Sequence, residues 1–286
     1  MVLFLCLYLA GIAFASGPKN EERPSVALVL GGGGARGFAH IAVLELIEEL
    51  GIPVDLIAGV SIGAIIGGLY SAGYSPEMII DTLEGREWSA FFQDRPTQPF
   101  RINSDNLPIA ISLGSSAGPI APAFGRGFST GQRVYELLKS LTVNIPSGIE
   151  FDKLPTPFLA GVVEIPGGKF ELLGKGDLAE AIRASMSIQG VFEPFDIDGK
   201  SYIDGGIINT LPIREVRELG YDIVIAVDLY VPPKELSAEL LDLPDLMETL
   251  YSGRMGRDQH RLADAVIFPL PDNVSSANFE EAMEFT

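Results

Sequence analysis

Residues 26–64 read VALVLGGGGARGFAHIAVLELIEELGIPVDLIAGVSIGA, and the order of elements within them decides the fold. Val26 to Leu30 is a short continuous apolar run of the kind found in a buried parallel strand, and it stops at four consecutive glycines, Gly31 to Gly34. Lacking Cβ atoms, such residues can bring their N–H groups close to an anion or a reacting oxygen. From about Phe38 to Leu50, Ile41, Val43, Leu44, Ile47 and Leu50 recur at helical spacing, and Gly51 marks the end of that helix. A second strand is expected over Leu56 to Val60. It runs into Gly59-Val60-Ser61-Ile62-Gly63, a G-x-S-x-G sequence, and Ala64 to Tyr70 reads as the helix that leaves it. Strand, turn and helix in that order are the setting a nucleophile elbow requires, with Ser61 on the turn.

Working outward, the 286-residue chain is long enough for one large domain or two small ones. Apolar residues make up 47% and charged residues 20%, a globular composition. Twenty basic against thirty-eight acidic residues leave a net charge of −18, which argues against a nucleic-acid partner and against simple attraction to anionic lipid. Contact with a membrane surface would be mainly hydrophobic. Residues 1–15 are apolar, uncharged and end in Ala13-Phe14-Ala15, which reads as a secretory signal; the missing positive n-region also fits a misplaced start or an uncleaved anchor. Residues 16–24 read as a linker, and the protein is expected to be exported to the periplasm, the outer membrane or the medium. The single cysteine, Cys6, lies in the signal segment, so the mature chain would have no disulfide and no thiolate metal site. Two distant histidines and the lack of a calcium-loop pattern imply no metal and no cofactor.

Beyond the opening stretch, Ser75-Pro76-Glu77 opens a helix with Ser75 as N-cap. Residues 86–128 mix aromatic and branched residues with many Gly, Pro and Ser and show little periodicity, consistent with a lid, an acyl-pocket wall or a cover on the core. Thr130 is expected to cap a helix to about Leu141. Phe158 to Ile165 and Lys169 to Leu173 read as a hairpin about Gly167-Gly168, and Asp177 with Glu180 forms a capping-box start to a helix ending near Met186. A second hairpin spans residues 195–204 about Asp198-Gly199. Pro212 to Leu219 reads as a helix, Ile223 to Val227 as a buried strand and Ala265 to Phe268 as a short last one. Alternating strands and helices imply an α/β layered domain over residues 25–271 with a mainly parallel central sheet. Residues 272–286 form a tail that ends in what reads as an unfinished helix, as if a further domain followed.

A serine hydroxyl is a poor nucleophile until a base takes its proton, so Ser61 needs a base and donors for the developing oxyanion. The N–H groups of Gly32, Gly33 and Gly34 can provide such donors, with the N–H of Ile62, the residue after the nucleophile. For the base, His40, His260 and a carboxylate are candidates. Asp204 is attractive because it ends a hairpin strand beside two glycines; alone, it would read as an ordinary turn aspartate.

Together these pieces resemble the patatin-like phospholipase family. Gly32-Gly33-Gly34-Ala35-Arg36-Gly37 is similar to the family's G-G-G-x-[RK]-G loop, Gly59 to Gly63 to its elbow, and Asp204-Gly205-Gly206 to its D-G-[GA] motif, in the same order and at similar separation. Ala181 to Ser187 and Asn209 to Pro212 resemble further segments of bacterial members, so the likeness extends over about residues 25–270. Gln189 departs from an expected proline, and Thr210 from a common asparagine. The resemblance implies a three-layer α/β/α fold and a Ser–Asp dyad in which Asp204 activates Ser61. It implies calcium-independent hydrolysis of a fatty-acyl ester of a phospholipid or lysophospholipid through an acyl-enzyme. An exposed aspartate, with a pKa near 4, is a weak base for this task, so the glycine loop has to stabilise the oxyanion strongly.

Several rival readings stand beside this one. Gly32, Gly34 and Gly37 also satisfy a dinucleotide-binding G-x-G-x-x-G, but the acidic residue expected at the end of the second strand is absent. A conventional Ser–His–Asp hydrolase would use Ser61, Asp204 or Asp228, and His260. A lipid-binding or assembly module could keep the fold with little turnover. His40 reads as a structural hydrogen-bonder, and Arg36 either holds a lipid phosphate or braces the loop. Arg254, Arg257, His260 and Arg261 form a local basic cluster suited to a solvated face or to a headgroup. Oligomeric state is not legible.

Overall fold

In the computed structural model, residues 23–84, 86, 129–230 and 257–269 are described. Strand β1 (Val26–Leu30) is completely buried, as is β2 (Leu56–Val60). Between them lie a 3-10 turn (Gly34–Phe38) and helix α1 (Ala39–Glu49). Helix α2 (Ile62–Ser71) leaves the elbow, and α3 (Pro76–Leu83) follows with Ser75 as N-cap, its hydroxyl accepting from the Met78 N–H. Helix α4 (Gln132–Leu141) begins after Gly131, which occupies the N-cap position at φ 67°. Thr130 is therefore not the cap; its hydroxyl instead accepts from the Gln132 N–H at 3.3 Å. The chain continues through β3 (Ile149–Glu150), the hairpin of β4 (Phe158–Ile165) and β5 (Lys169–Leu173), β6 (Lys175–Gly176) and α5 (Leu178–Ser185), with Asp177 as its cap. A second hairpin, β7 (Phe195–Ile197) and β8 (Lys200–Asp204), precedes α6 (Ile213–Glu218), β9 (Ile223–Val227) and β10 (Ala265–Ile267).

The main sheet has the order β10-β9-β1-β2-β4-β8-β7, with β5 also paired to β4. Pairings from β10 through β4 are parallel, whereas β4–β5, β4–β8 and β7–β8 are antiparallel. Successive residues of a strand face opposite sides, and the core divides accordingly. Leu28, Leu30 and Ile57 pack with α1 to α5, while Ala27, Val29 and Ala58 pack with Ile213 and Val216 of α6. The sheet is thus covered on both faces, which is why its central strands read as unbroken apolar runs. A separate two-stranded sheet of β3 and β6 has no strong sequence signal. The N-terminal segment, the irregular stretch from residue 87 to 128, Arg254 and the C-terminal tail lie outside the described residues.

Candidate active site

Ser61 sits between β2 and α2 with φ 56° and ψ −121°, one of two described non-glycine residues at positive φ. Backbone held in such a sparsely populated region costs on the order of 1–3 kcal/mol and persists only where the surroundings enforce it. Here the two glycines of the elbow make room. A Cβ on Gly59 would lie 2.3 Å from the Gly63 carbonyl oxygen, and one on Gly63 would lie 2.2 Å from that of Leu30. Helix α2 can therefore start directly against the ends of β1 and β2, with Ser61 raised at the apex.

Strand register brings the second residue to it. Strand β4 pairs in parallel with β2 from Phe158 to Gly161, the last pair being Val60 with Gly161. It then pairs in antiparallel fashion with β8 from Val162 to Ile165, beginning with Val162 opposite Asp204. Residues 162–164 of β4 pair with β5 as well, so β8 must occupy the other edge, the one that β2 occupies further back. Strands β2 and β8 thus run toward each other along one edge of β4, and Ser61 and Asp204 lie where they meet.

The Ser61 hydroxyl lies beside the Asp204 carboxylate, close enough to act on its charge. Both side chains are buried, at 7% and 8% exposure. Burial pushes the Asp204 carboxyl up to about 6, against the lowering effects of the Ser61 hydroxyl and the Gly206 N–H, which donates to Oδ1 at 2.7 Å. The weak base expected of an exposed aspartate is therefore a stronger one in this setting.

The glycine loop lies against Ser61: a Cβ on Gly32 would be 3.4 Å from that of the serine. One expectation needs correcting. The Gly32 N–H donates to the Thr210 carbonyl at 3.1 Å and the Gly31 N–H to that of Val227, so Gly32 anchors the loop and has no free donor. The Gly33 and Gly34 N–H groups have no acceptor among the described residues, nor has that of Ile62 at the N-terminus of α2. Gly37 fixes these donors relative to one another, since a Cβ there would lie 2.1 Å from Ile62 Cγ1.

The histidines are elsewhere. His40 is completely buried with Nε2 2.8 Å from the Gly31 carbonyl oxygen, and burial lowers it to about 4, so it stays neutral and donates to the glycine loop. His260 pairs with Asp228 at 2.8 Å and stacks edge-on against Phe268. Asp228 follows β9, which is separated from β2 by β1, so the conventional triad is not assembled. Arg36 is buried in the 3-10 turn and already engaged, which fits the bracing role. Among the described residues no three His, Cys, Asp or Glu side chains converge as metal ligands would. A groove of about 500 Å³, lined by Leu56, Leu159 and Tyr221 among others, opens where strands β1, β2, β4 and β9 begin, at the opposite end of these strands from Ser61.

Sequence reasoning assigned no role to Ser185 and Ser187, which hold the backbone of Ser61 and Asp204. Ser61 N–H donates to Ser185 Oγ at 3.0 Å, and Asp204 N–H donates to the Ser187 carbonyl at 3.0 Å. It also missed Gln259, whose amide donates to Asn209 Oδ1 while that oxygen accepts the Leu211 N–H, tying down the loop behind Thr210. Ser185, Ser187 and Asn209 lie in the stretches that resemble bacterial members, which marked the segments but not these roles; Gln259, among charged neighbours, carried no signal.

Known proteins resemble this chain over the same region. An uncharacterized NTE family protein of Mycobacterium bovis is 30% identical over 211 residues, covering 74% of this chain and 51% of that protein. Lysophospholipase NTE1 of Cryptococcus neoformans is 32% identical over 204 residues, and patatin-like phospholipase domain-containing protein 7 of Rattus norvegicus 33% over 208, covering 71% and 72% of this chain. The chain spans about half the length of the mycobacterial relative and only 11% and 14% of the other two. Among solved structures, VipD of Legionella pneumophila aligns with a TM-score of 0.47 at 16% identity, over 74% of this chain and 51% of its own. The profile described as patatin-like phospholipase matches residues 28–217, from the middle of β1 to α6, and so takes in the glycine loop, the elbow and Asp204. With well over half of its length matched, the chain belongs to the patatin-like phospholipase family.

Proposed function

We propose that the protein is a calcium-independent serine acyl hydrolase of phospholipase A or lysophospholipase type, working through a dyad of Ser61 and Asp204. The observation that carries this reading is the meeting of β2 and β8 on β4, which puts a strained, buried serine beside a buried carboxylate raised to about 6. Asp204 takes the hydroxyl proton as Ser61 Oγ attacks the acyl carbonyl of the lipid. The Gly33, Gly34 and Ile62 N–H groups receive the negative charge that develops on the carbonyl oxygen, aided by the N-terminal dipole of α2. The ester bond then breaks, and the departing alcohol oxygen takes the proton back from Asp204. This leaves the acyl group on Ser61. Water, deprotonated by Asp204, attacks the acyl carbonyl, and collapse of the second oxyanion returns the hydroxyl to Ser61 and frees the fatty acid.

The lysophospholipase name carried by the fungal relative supports a lipid ester as substrate, presented at a membrane surface. The test is fatty-acid release from mixed phospholipid and lysophospholipid vesicles in the presence of EDTA, comparing wild type with Ser61→Ala. Release by wild type alone is expected. Equal release by both would reject Ser61 as nucleophile, and release that EDTA abolishes would reject calcium independence.

A further inference from the structure

A side chain is spliced into the ladder between β2 and β4. Up to Val60 and Gly161 the two strands pair backbone to backbone. At the next step the Ser61 N–H donates to Ser185 Oγ at 3.0 Å, and that hydroxyl donates its own proton to the Gly161 carbonyl at 2.7 Å. With one proton and two lone pairs, a hydroxyl can fill both roles at once, and the carbonyl and amide fix which way it points. Ser185 is the last residue of α5 and is completely buried, so water does not compete for these bonds.

The same short segment is braced on its far side. Arg183, 1% exposed, donates to Ser187 Oγ at 2.7 Å and to the Thr130 carbonyl at 2.9 Å, with its guanidinium over the rings of Phe192 and Phe195. Ser187 offers its carbonyl to the Asp204 N–H. Residues 183–187 therefore hold the backbone of both dyad members, Ser61 through a side chain and Asp204 through a carbonyl.

We infer that Ser185 is a positioning residue for acyl transfer: its hydroxyl is a spacer that holds the elbow away from β4 so that Ser61 Oγ meets Asp204 and the Ile62 N–H faces the oxyanion. This rests on the reading of Ser61 as nucleophile. Without the hydroxyl, a buried N–H and a buried C=O lose their partner, and the nearest repair is a direct bond between them. Replacing two linked hydrogen bonds by one draws the Ser61 backbone toward β4 by roughly 2 Å, given ordinary bond lengths of about 2.9 Å. A misplacement of about 1 Å can already cost on the order of 100-fold in rate.

The test compares wild type with Ser185→Ala, Ser185→Thr and Ser185→Cys on a soluble p-nitrophenyl ester, with Ser71→Ala as a buried-serine control outside the site. For Ser185→Ala, kcat should fall about 100-fold with KM within about twofold, and the acid limb of the pH profile should move upward, because the Ser61 hydroxyl no longer lowers Asp204. Ser185→Thr, which restores the hydroxyl, should recover at least about tenfold of that loss. A folded Ser185→Ala enzyme with unchanged kcat and pH profile overturns the inference. Should the alanine variant fail to fold, Ser185→Cys decides: a fall of about tenfold or more in kcat supports the spacer, and an unchanged kcat refutes it. Absence of turnover by wild type would reject the hydrolase reading itself, whereas normal wild-type turnover with indifferent Ser185 variants rejects only the positioning role.

Discussion

Lowering the pH from 7 to 5 should reduce kcat/KM for ester hydrolysis about tenfold. Asp204 acts as base only when ionised, and burial, which penalises the charged form, holds its carboxyl at about 6. One pH unit changes the ratio of ionised to neutral form by a factor of ten, so about nine-tenths of the enzyme is competent at pH 7 and about one-tenth at pH 5. An unburied aspartate near 3.8 would be almost fully ionised at both and would give a flat profile. The assay is the initial rate on a short-chain p-nitrophenyl ester, read at a wavelength where ionisation of the released phenol does not register. A histidine base would produce a similar limb, so the profile is repeated in His260→Gln, which should keep both the limb and most of the rate. A flat wild-type profile would refute the raised carboxyl. A limb that vanishes with His260 would return the chemistry to a conventional triad, and Asp204→Asn with near-normal activity would do the same.

Two further outcomes follow from buried groups. His40, lowered to about 4, favours the fold above pH 6.5 and loses that contribution as the pH falls toward 4; Asp204, raised to about 6, favours it below pH 3.8 and loses that contribution as the pH rises through 6. Between pH 7 and 5 the first costs about 2 kcal/mol and the second returns about 1 kcal/mol, so Asp204→Asn should lose about 1 kcal/mol more than wild type over that interval. Urea unfolding at the two pH values measures this, and parallel losses in the two proteins would contradict it. At the elbow, Gly63→Ala drives a Cβ into the Leu30 carbonyl and should lower Tm by ~5 °C or more while abolishing turnover. Gly167→Ala, with open space at the β4–β5 hairpin, should change neither, and a tolerant Gly63→Ala would show that the elbow can relax.

Strands β1, β2, β4 and β9 were legible because strands covered on both faces read as continuous apolar runs between turn residues. The elbow was legible because its glycines answer a local steric demand. The sequence contained no sign that β8 would lie on the β2 edge of β4, since that follows from pairing between segments far apart. The reading of Gly32 as an oxyanion donor failed for a similar reason: the carbonyl that takes its N–H belongs to Thr210, after the second hairpin. Thr130 looked like a helix cap by residue type, yet Gly131 provides the left-handed turn there because Arg183 fills the space beside it. Burial of Asp204, which changes it from a weak base to a serviceable one, is likewise a tertiary property. The two glycines after it singled it out but could not reveal the surroundings.

The meeting of β2 and β8 along one edge of β4 makes the catalytic geometry discontinuous. Side chains alternate faces along a strand, so sliding β8 by one residue would turn Asp204 to the other side of the sheet, and sliding it by two would carry it roughly 7 Å away. No intermediate register places the carboxylate slightly out of line. Single strand β4 therefore works as a ruler with coarse graduations. Drift in the loops leaves the registers of β2 and β8 unchanged; within a register the fine placement of Ser61 falls to side chains such as Ser185, whereas a skipped graduation would be felt as complete loss.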